Sequence, residues 1–179
     1  PRDPRRDLLD RSVLRNDIHI EPFHPDRCAG VGHFRLRVTD VSLLGDKGEA
    51  LAWIIGGETV TLEISGVAHE EVNDIIVGFY FKDRLGQLVF GDNTYLTYMD
   101  EGGYSLKAGE KFRAHFTFEM PRLQAGDYFI TVGVAEGSQD RHIIQHWIHE
   151  ALSMSSHVPS GVPHGLIGLP MMHIGLERH

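Results

Sequence analysis

Apolar and polar residues alternate along most of this chain, the two-residue period of strands half-buried against a core. From His33 to Leu44, Phe34, Leu36 and Val38 hold one phase and Val41 and Leu43 the other. That slip predicts a strand with a bulge near Thr39-Asp40. After the turn-rich Gly45 to Gly48, Val60, Leu62 and Ile64 face one way and Thr59, Thr61 and Glu63 the other. Two runs of aromatic and β-branched residues, Ile75 to Phe81 and Leu88 to Phe90, flank Asp83-Arg84-Leu85-Gly86, which predicts an antiparallel hairpin. Phe112, Ala114, Phe116 and Phe118 form a further apolar face, and Tyr128, Ile130, Val132 and Val134 another after the Gln124 to Asp127 turn. Roughly seven short strands with Gly-rich turns predict an all-β, antiparallel β-sandwich rather than an α/β fold.

Three segments depart from this alternation. Residues 1–32 are polar, charged and broken by Pro4, Pro22 and Pro25, and are expected to be a linker leading into a sandwich domain over residues 33–158. Ile143, Ile144, Trp147, Ile148, Ala151 and Leu152 fit a helical period, so the pattern alone favours a helix over residues 141–152. The tail, residues 159–179, is rich in Pro and Gly yet carries Leu166, Ile167, Leu169, Met171, Met172, Ile174 and Leu176. Such an apolar tail is not expected to be left in water.

Composition narrows the function. A chain of 179 residues with 41% apolar content suits one core and is short for two. Its net charge of −8 excludes the basic face of a nucleic-acid binder, and the N-terminal arginines alternate with Asp3, Asp7, Asp10 and Asp17. The single cysteine, Cys28, excludes an internal disulfide. No apolar run reaches the roughly 18 residues of a membrane span, and the N-terminus lacks a signal-peptide core, so a soluble protein is expected. Starting at Pro1, the chain reads as part of a longer protein.

The segment Gly78 to Tyr95 resembles the hairpin in the C-terminal domain of the ATP-binding subunit of Wzt-type O-antigen polysaccharide ABC exporters. Gly30 to Asp46, Gly56 to Ile64, Leu123 to Tyr128 and Trp147 to Leu152 extend the resemblance over about residues 30–156. Its specific parts are Lys82 to Gln87 and Phe90 to Thr94, since alternating strands alone fit any sandwich. The resemblance implies an immunoglobulin-like sandwich that binds the non-reducing end of an undecaprenol-linked O-polysaccharide, in some members through a terminal modification such as methyl or methyl phosphate. It implies no cofactor and no catalysis, since the phosphate-cradling Gly-x-x-x-x-Gly-Lys-Ser/Thr loop of the ATPase half does not occur here. It further implies a homodimer, a membrane-subunit partner, and a cytoplasmic location peripheral to the inner membrane. In the family residues 141–152 run into a late strand, so a loop near 139–146 followed by a strand to about Ser155 is the expectation adopted.

A sugar binder needs exposed rings flanked by hydrogen-bonding groups. If Phe79 and Phe81 face the core, Tyr80, Lys82 and Arg84 face outward, as do Arg113 and His115 on their own strand. With Asn93 these are the candidate glycan-binding residues, and Lys82, Arg84, Arg113 and His115 would form a cationic cluster suited to an anionic cap. Tyr80, Lys82 and Arg113 also read as ordinary solvent-facing strand residues, and Asp92 and Asn93 as turn formers bonding their own backbone. Trp147 reads as core or dimer interface ahead of a stacking platform, and Tyr95 and Tyr98 stay open. His142, His146 and His149 have metal-ligand spacing only on a helix. No pair among Asp83, Asp92, Asp100 and Glu101 has the set separation of a glycosidase. A dimerisation module without sugar affinity is the alternative to the binding reading.

Overall fold

The computed structural model describes residues 17–157, 165–169, 172–173 and 175–178. In chain order the elements are β1 (Asp17–Glu21), β2 (Leu36–Leu44), β3 (Trp53–Ile54), β4 (Thr59–Ala68), β5 (Ile75–Asp83) and β6 (Leu88–Asn93). A single-turn helix α1 (Tyr95–Tyr98) and a 3-10 turn (Met99–Glu101) follow, then β7 (Lys111–Glu119), β8 (Arg122–Leu123), β9 (Gly126–Gly137), β10 (His142–His157) and β11 (Ile167–Gly168). A six-stranded sheet in the order β3-β1-β10-β9-β5-β6 faces a three-stranded sheet in the order β2-β4-β7, and β11 pairs with β8 in a small third sheet. The strand pairs are antiparallel, and for β5–β6 and β9–β10 the short connections require it.

Alternation sorts each strand onto the core as the pattern predicts. Val60, Leu62 and Ile64 of β4 and Phe81, Ile130 and Val132 of the larger sheet belong to one buried cluster. Aromatic rings lock the layers together: Phe79 packs on Phe116 at 5.0 Å and on Phe118 at 6.0 Å, centroid to centroid. The bulge lies where the phase slips, with Val38 opposite Gly66 and Asp40 opposite Ser65. The hairpin turn is held by Asp83, whose carboxylate oxygen Oδ1 accepts the amide N–H groups of Leu85 at 2.9 Å and Gln87 at 2.8 Å.

β10 explains the helical pattern of residues 141–152. It is a strand throughout, starting at His142 rather than after a loop to 146. Its register shifts between Ile144 and His146 and again between Ile148 and Leu152. Ile148 pairs with Val132 and Leu152 with Ile130, so four residues of β10 span two of β9. Inserted residues convert the two-residue period into spacings of three and four.

The domain begins earlier than the linker expectation for residues 1–32 allowed. β1 pairs with β10 from Asp17–His157 to Glu21–Ser153, burying Ile18 and Ile20, and Phe23 is buried beside them. One strand with two apolar side chains escaped notice because prolines at 22 and 25 cut the alternation short. Residues 1–16 lie outside the described residues. At the other end β11 pairs with β8 of the same chain, Ile167 opposite Leu123.

Candidate functional site

Glycines on three adjacent strands open a groove in the outer face of the six-stranded sheet. Gly78 on β5 lies opposite Gly133 on β9 and Asn93 on β6, while Gly91 on β6 lies opposite Tyr80. Trp147 on β10 lies opposite Gly133 and its indole covers that bare backbone: a Cβ there would stand 2.5 Å from the ring. A Cβ at Gly91 would stand 2.7 Å from the Tyr80 ring. Absent side chains at 91 and 133 therefore let the two rings lie close on the sheet, where they wall the cavity beside them. The cavity measures about 350 Å³ and is bounded by Tyr80, Trp147, Tyr95, Asn93, His142 and Ile144 among others.

The walls have the amphipathic character that a sugar ring needs. Tyr80, 41% exposed, stands 5.8 Å from Trp147 with their planes tilted by 59°. Lys82 holds its ammonium 5.6 Å from the Tyr80 ring centre, a cation–π contact at the rim. Asn93 accepts the Tyr95 amide N–H through its side-chain oxygen at 2.9 Å, which holds the loop into α1. Its amide nitrogen has no partner among the described residues and borders the cavity.

Of the six sequence-predicted residues, Tyr80 and Asn93 line this groove, and Lys82, outside the lining, reaches the Tyr80 ring. Arg84 sits in the β5–β6 turn beside a separate hollow near Tyr128 and Leu166. Arg113 and His115 lie on β7, in the other sheet, where both contact Glu63, at 3.6 Å and 2.8 Å. They border a further cavity of about 320 Å³ with Tyr98 and Tyr104, which shares Asp92 and Asn93 with the groove. The expected cationic cluster is thus dispersed, because β5 and β7 belong to different sheets and outward means opposite directions on the two.

In the sequence Trp147 reads as core or dimer interface ahead of a stacking platform, and the glycines at 78, 91 and 133 draw no notice. The available signal was isolated Gly within strands, at 78, 91 and 133, which marks close approach by another group. The histidine series is also resolved by burial. His146 is buried and bonded through both ring nitrogens, while His142 and His149 are exposed. Among the described residues no group of three His, Cys, Asp or Glu is placed to hold a metal ion.

The model of the Wzt C-terminal domain family matches residues 28–169. The chain belongs to that family. A crystal structure of the C-terminal domain of Wzt superposes with a TM-score of 0.70 at 16% identity, covering 87% of this chain and 93% of that one. The shared architecture is therefore that of the Wzt C-terminal domain, an immunoglobulin-like sandwich. Weaker likenesses link it to chicken MD-1 complexed with lipid IVa (TM-score 0.37, 12% identity, 82% and 93% covered) and to a β-glucuronidase of glycoside hydrolase family 2 (0.33, 15%, 62% and 10%). No curated protein sequence matches the chain significantly.

Proposed function

We propose that this domain is a non-catalytic carbohydrate-binding module that confers substrate specificity on an ABC exporter of O-antigen polysaccharide, and that the groove lined by Tyr80 and Trp147 takes the non-reducing end of the lipid-linked glycan. The observation that carries the reading is an exposed aromatic wall laid down on glycine. Glycine at 91 and 133 lets the Tyr80 and Trp147 rings lie against the backbone and meet at 5.8 Å, and the cavity beside them lets one face of a sugar ring pack on that wall. C–H faces of a sugar pack on such rings, and its hydroxyls meet Asn93 and Lys82 at the rim. Family membership supports a glycan as the ligand, and the exposed rings of the groove support this face of the sheet as its site. Arg84, Arg113 and His115 contribute nothing to this groove in the reading. The exporter's ATPase half and membrane subunit are the proposed partners, with the domain at the cytoplasmic face of the inner membrane.

Calorimetric titration with the cognate O-polysaccharide, and with an unrelated one, tests the proposal. Trp147→Ala and Tyr80→Ala are each expected to weaken cognate binding at least about tenfold, near 1.4 kcal/mol, since each removes one wall. Affinity for neither polysaccharide would return the domain to a purely structural role, and equal affinity for both would remove the specificity claim. Binding that survives both substitutions would place the ligand in another cavity.

A further inference from the structure

His146 is a buried ionisable group that sugar recognition leaves unused. It is 4% exposed, one position from Trp147, and points to the core side of β10 opposite Val134. Its Nδ1 lies 3.0 Å from the amide nitrogen of Val38. An amide N–H only donates, so Nδ1 carries no proton. Nε2 therefore holds the ring's proton and donates it to the carbonyl oxygen of Ala29 at 2.9 Å. Phe34 packs edge-on against the ring at 5.2 Å.

The chain between those two anchor points lies along β10. Val31 donates its N–H to the Trp147 carbonyl at 2.9 Å and accepts the Trp147 N–H at 2.7 Å. His33 and Phe34 donate to the carbonyls of Ile144 and Gln145 at 3.2 Å and 2.8 Å. The approach is close enough to require glycine: a Cβ at Gly30 would stand 2.5 Å from the Trp147 carbonyl oxygen and 2.7 Å from Nε2 of His146. Phe34 takes a left-handed backbone (φ 61°), uncommon for an aromatic residue and maintained only where surroundings over-determine it.

We propose that His146 is a positioning residue for the groove: its neutral Nε2–H form fastens the Ala29–Phe34 segment against β10, and that segment fixes Trp147 over Gly133. The consequence for sugar binding rests on the groove reading above, whereas the positioning itself does not. A second proton, on Nδ1, would meet the Val38 N–H donor to donor and release the segment. Burial holds the imidazole below its ordinary range; the Ala29 bond opposes this, and the charge of Arg37 adds to it. Arg37 lies over the Phe34 ring at 4.2 Å, and Arg35 and Glu136 pair with one another beside Gln145, the residue preceding His146. Because the folded ring resists protonation, the unfolded chain takes up the proton first as pH falls below about 6.5. The fastening is then complete above that pH, weakens below it, and is lost once pH falls through the folded value.

The experiment reads the ring and the indole separately. Nitrogen NMR of the histidine ring in the wild-type chain is expected to show the Nε2–H tautomer at neutral pH; a charged ring or the Nδ1–H tautomer would overturn the proposal. Emission of Trp147 is followed from pH 8 down to the onset of acid unfolding in a Trp53→Phe, His149→Gln background, which removes the other indole and the exposed imidazole 6.3 Å from Trp147. A one-proton change tracking the His146 titration is expected, and His146→Gln, which keeps a donor and an acceptor, should abolish it. An unchanged transition in His146→Gln, or no transition in the background protein, would refute the positioning role. In the same background, affinity for purified cognate O-polysaccharide is expected to fall at least about threefold across that range, but not in His146→Gln. Failure of the wild type to bind glycan at any pH would sink the groove reading and leave the NMR and emission results to decide the role of His146.

Discussion

Phe79 and Tyr80 are adjacent in sequence and opposite in consequence. Phe79 is 4% exposed and touches Phe90, Phe116 and Phe118, so Phe79→Ala is expected to open a core cavity and cost about 3–5 kcal/mol in denaturant unfolding. Tyr80→Ala, on the solvent side, should stay within about 0.5 kcal/mol in the same measurement while losing glycan affinity. The glycines divide in the same manner. A Cβ at Gly66 would run into the backbone carbonyl of Arg37 and the Phe112 ring, neither of which has room to withdraw. Gly66→Ala is expected to destabilise by about 1–3 kcal/mol. A Cβ at Gly133 meets only the Trp147 ring, which can swing outward into the groove. Gly133→Ala should fold with little loss and shift Trp147 emission, an outcome read by comparing thermal unfolding with fluorescence.

At the scale of elements, the hairpin and β10 show how far a local pattern reaches. The β5–β6 turn was legible because its determinants are local: the Asp83 carboxylate bonds amides two and four residues on, and Gly86 supplies a φ of 77°. Gly86→Ala is expected to cost about 1–2 kcal/mol, checked by chemical unfolding. β10 was legible only through family resemblance, because its bulges are defined by what β9 presents opposite them. β9 also carries a titrating group. Burial, then the nearby Asp83 carboxylate, raises the Tyr128 phenol above its ordinary value of 10.0, partly offset by its bond to the Gln124 carbonyl. The folded state thus favours the protonated phenol, so its contribution is full below pH 10 and lost as pH rises through the folded value. Stability measured from pH 9 upward should fall with a component that Tyr128→Phe removes; an unchanged slope in that variant would assign the loss to other groups.

For the whole molecule, the open question is where the C-terminal segment belongs. In the single chain β11 lies on β8, with Ile167 against the core, while Leu166, Leu169, Met172 and Leu176 remain largely exposed. We propose that β11 occupies the same place on a partner's β8, making a homodimer in which the new contact between the two chains, beyond the exchanged strand, buries these side chains. Pro159, Gly161 and Pro163 precede the segment, and residues 158–164 lie outside the described residues. Deleting residues 160–179 and weighing the product by light scattering is the test. A monomer is expected from the truncated chain and a dimer from the intact one, whereas a truncated dimer would return the tail to covering its own core.

Alternation, turn residues and composition determined the class of this fold and the inward residues of β2, β4, β5, β7 and β9, because a two-residue period and a left-handed glycine are local properties of the chain. They also marked Tyr80 as an outward ring. What lay beyond them was the order of strands. Which sheet received β7 decided that Arg113 and His115 stand apart from Lys82, and which strand lay across from Gly133 decided that Trp147 walls a groove. Both depend on pairings between segments far apart in the chain, where the energy comes from burying two faces together and no single segment records its partner.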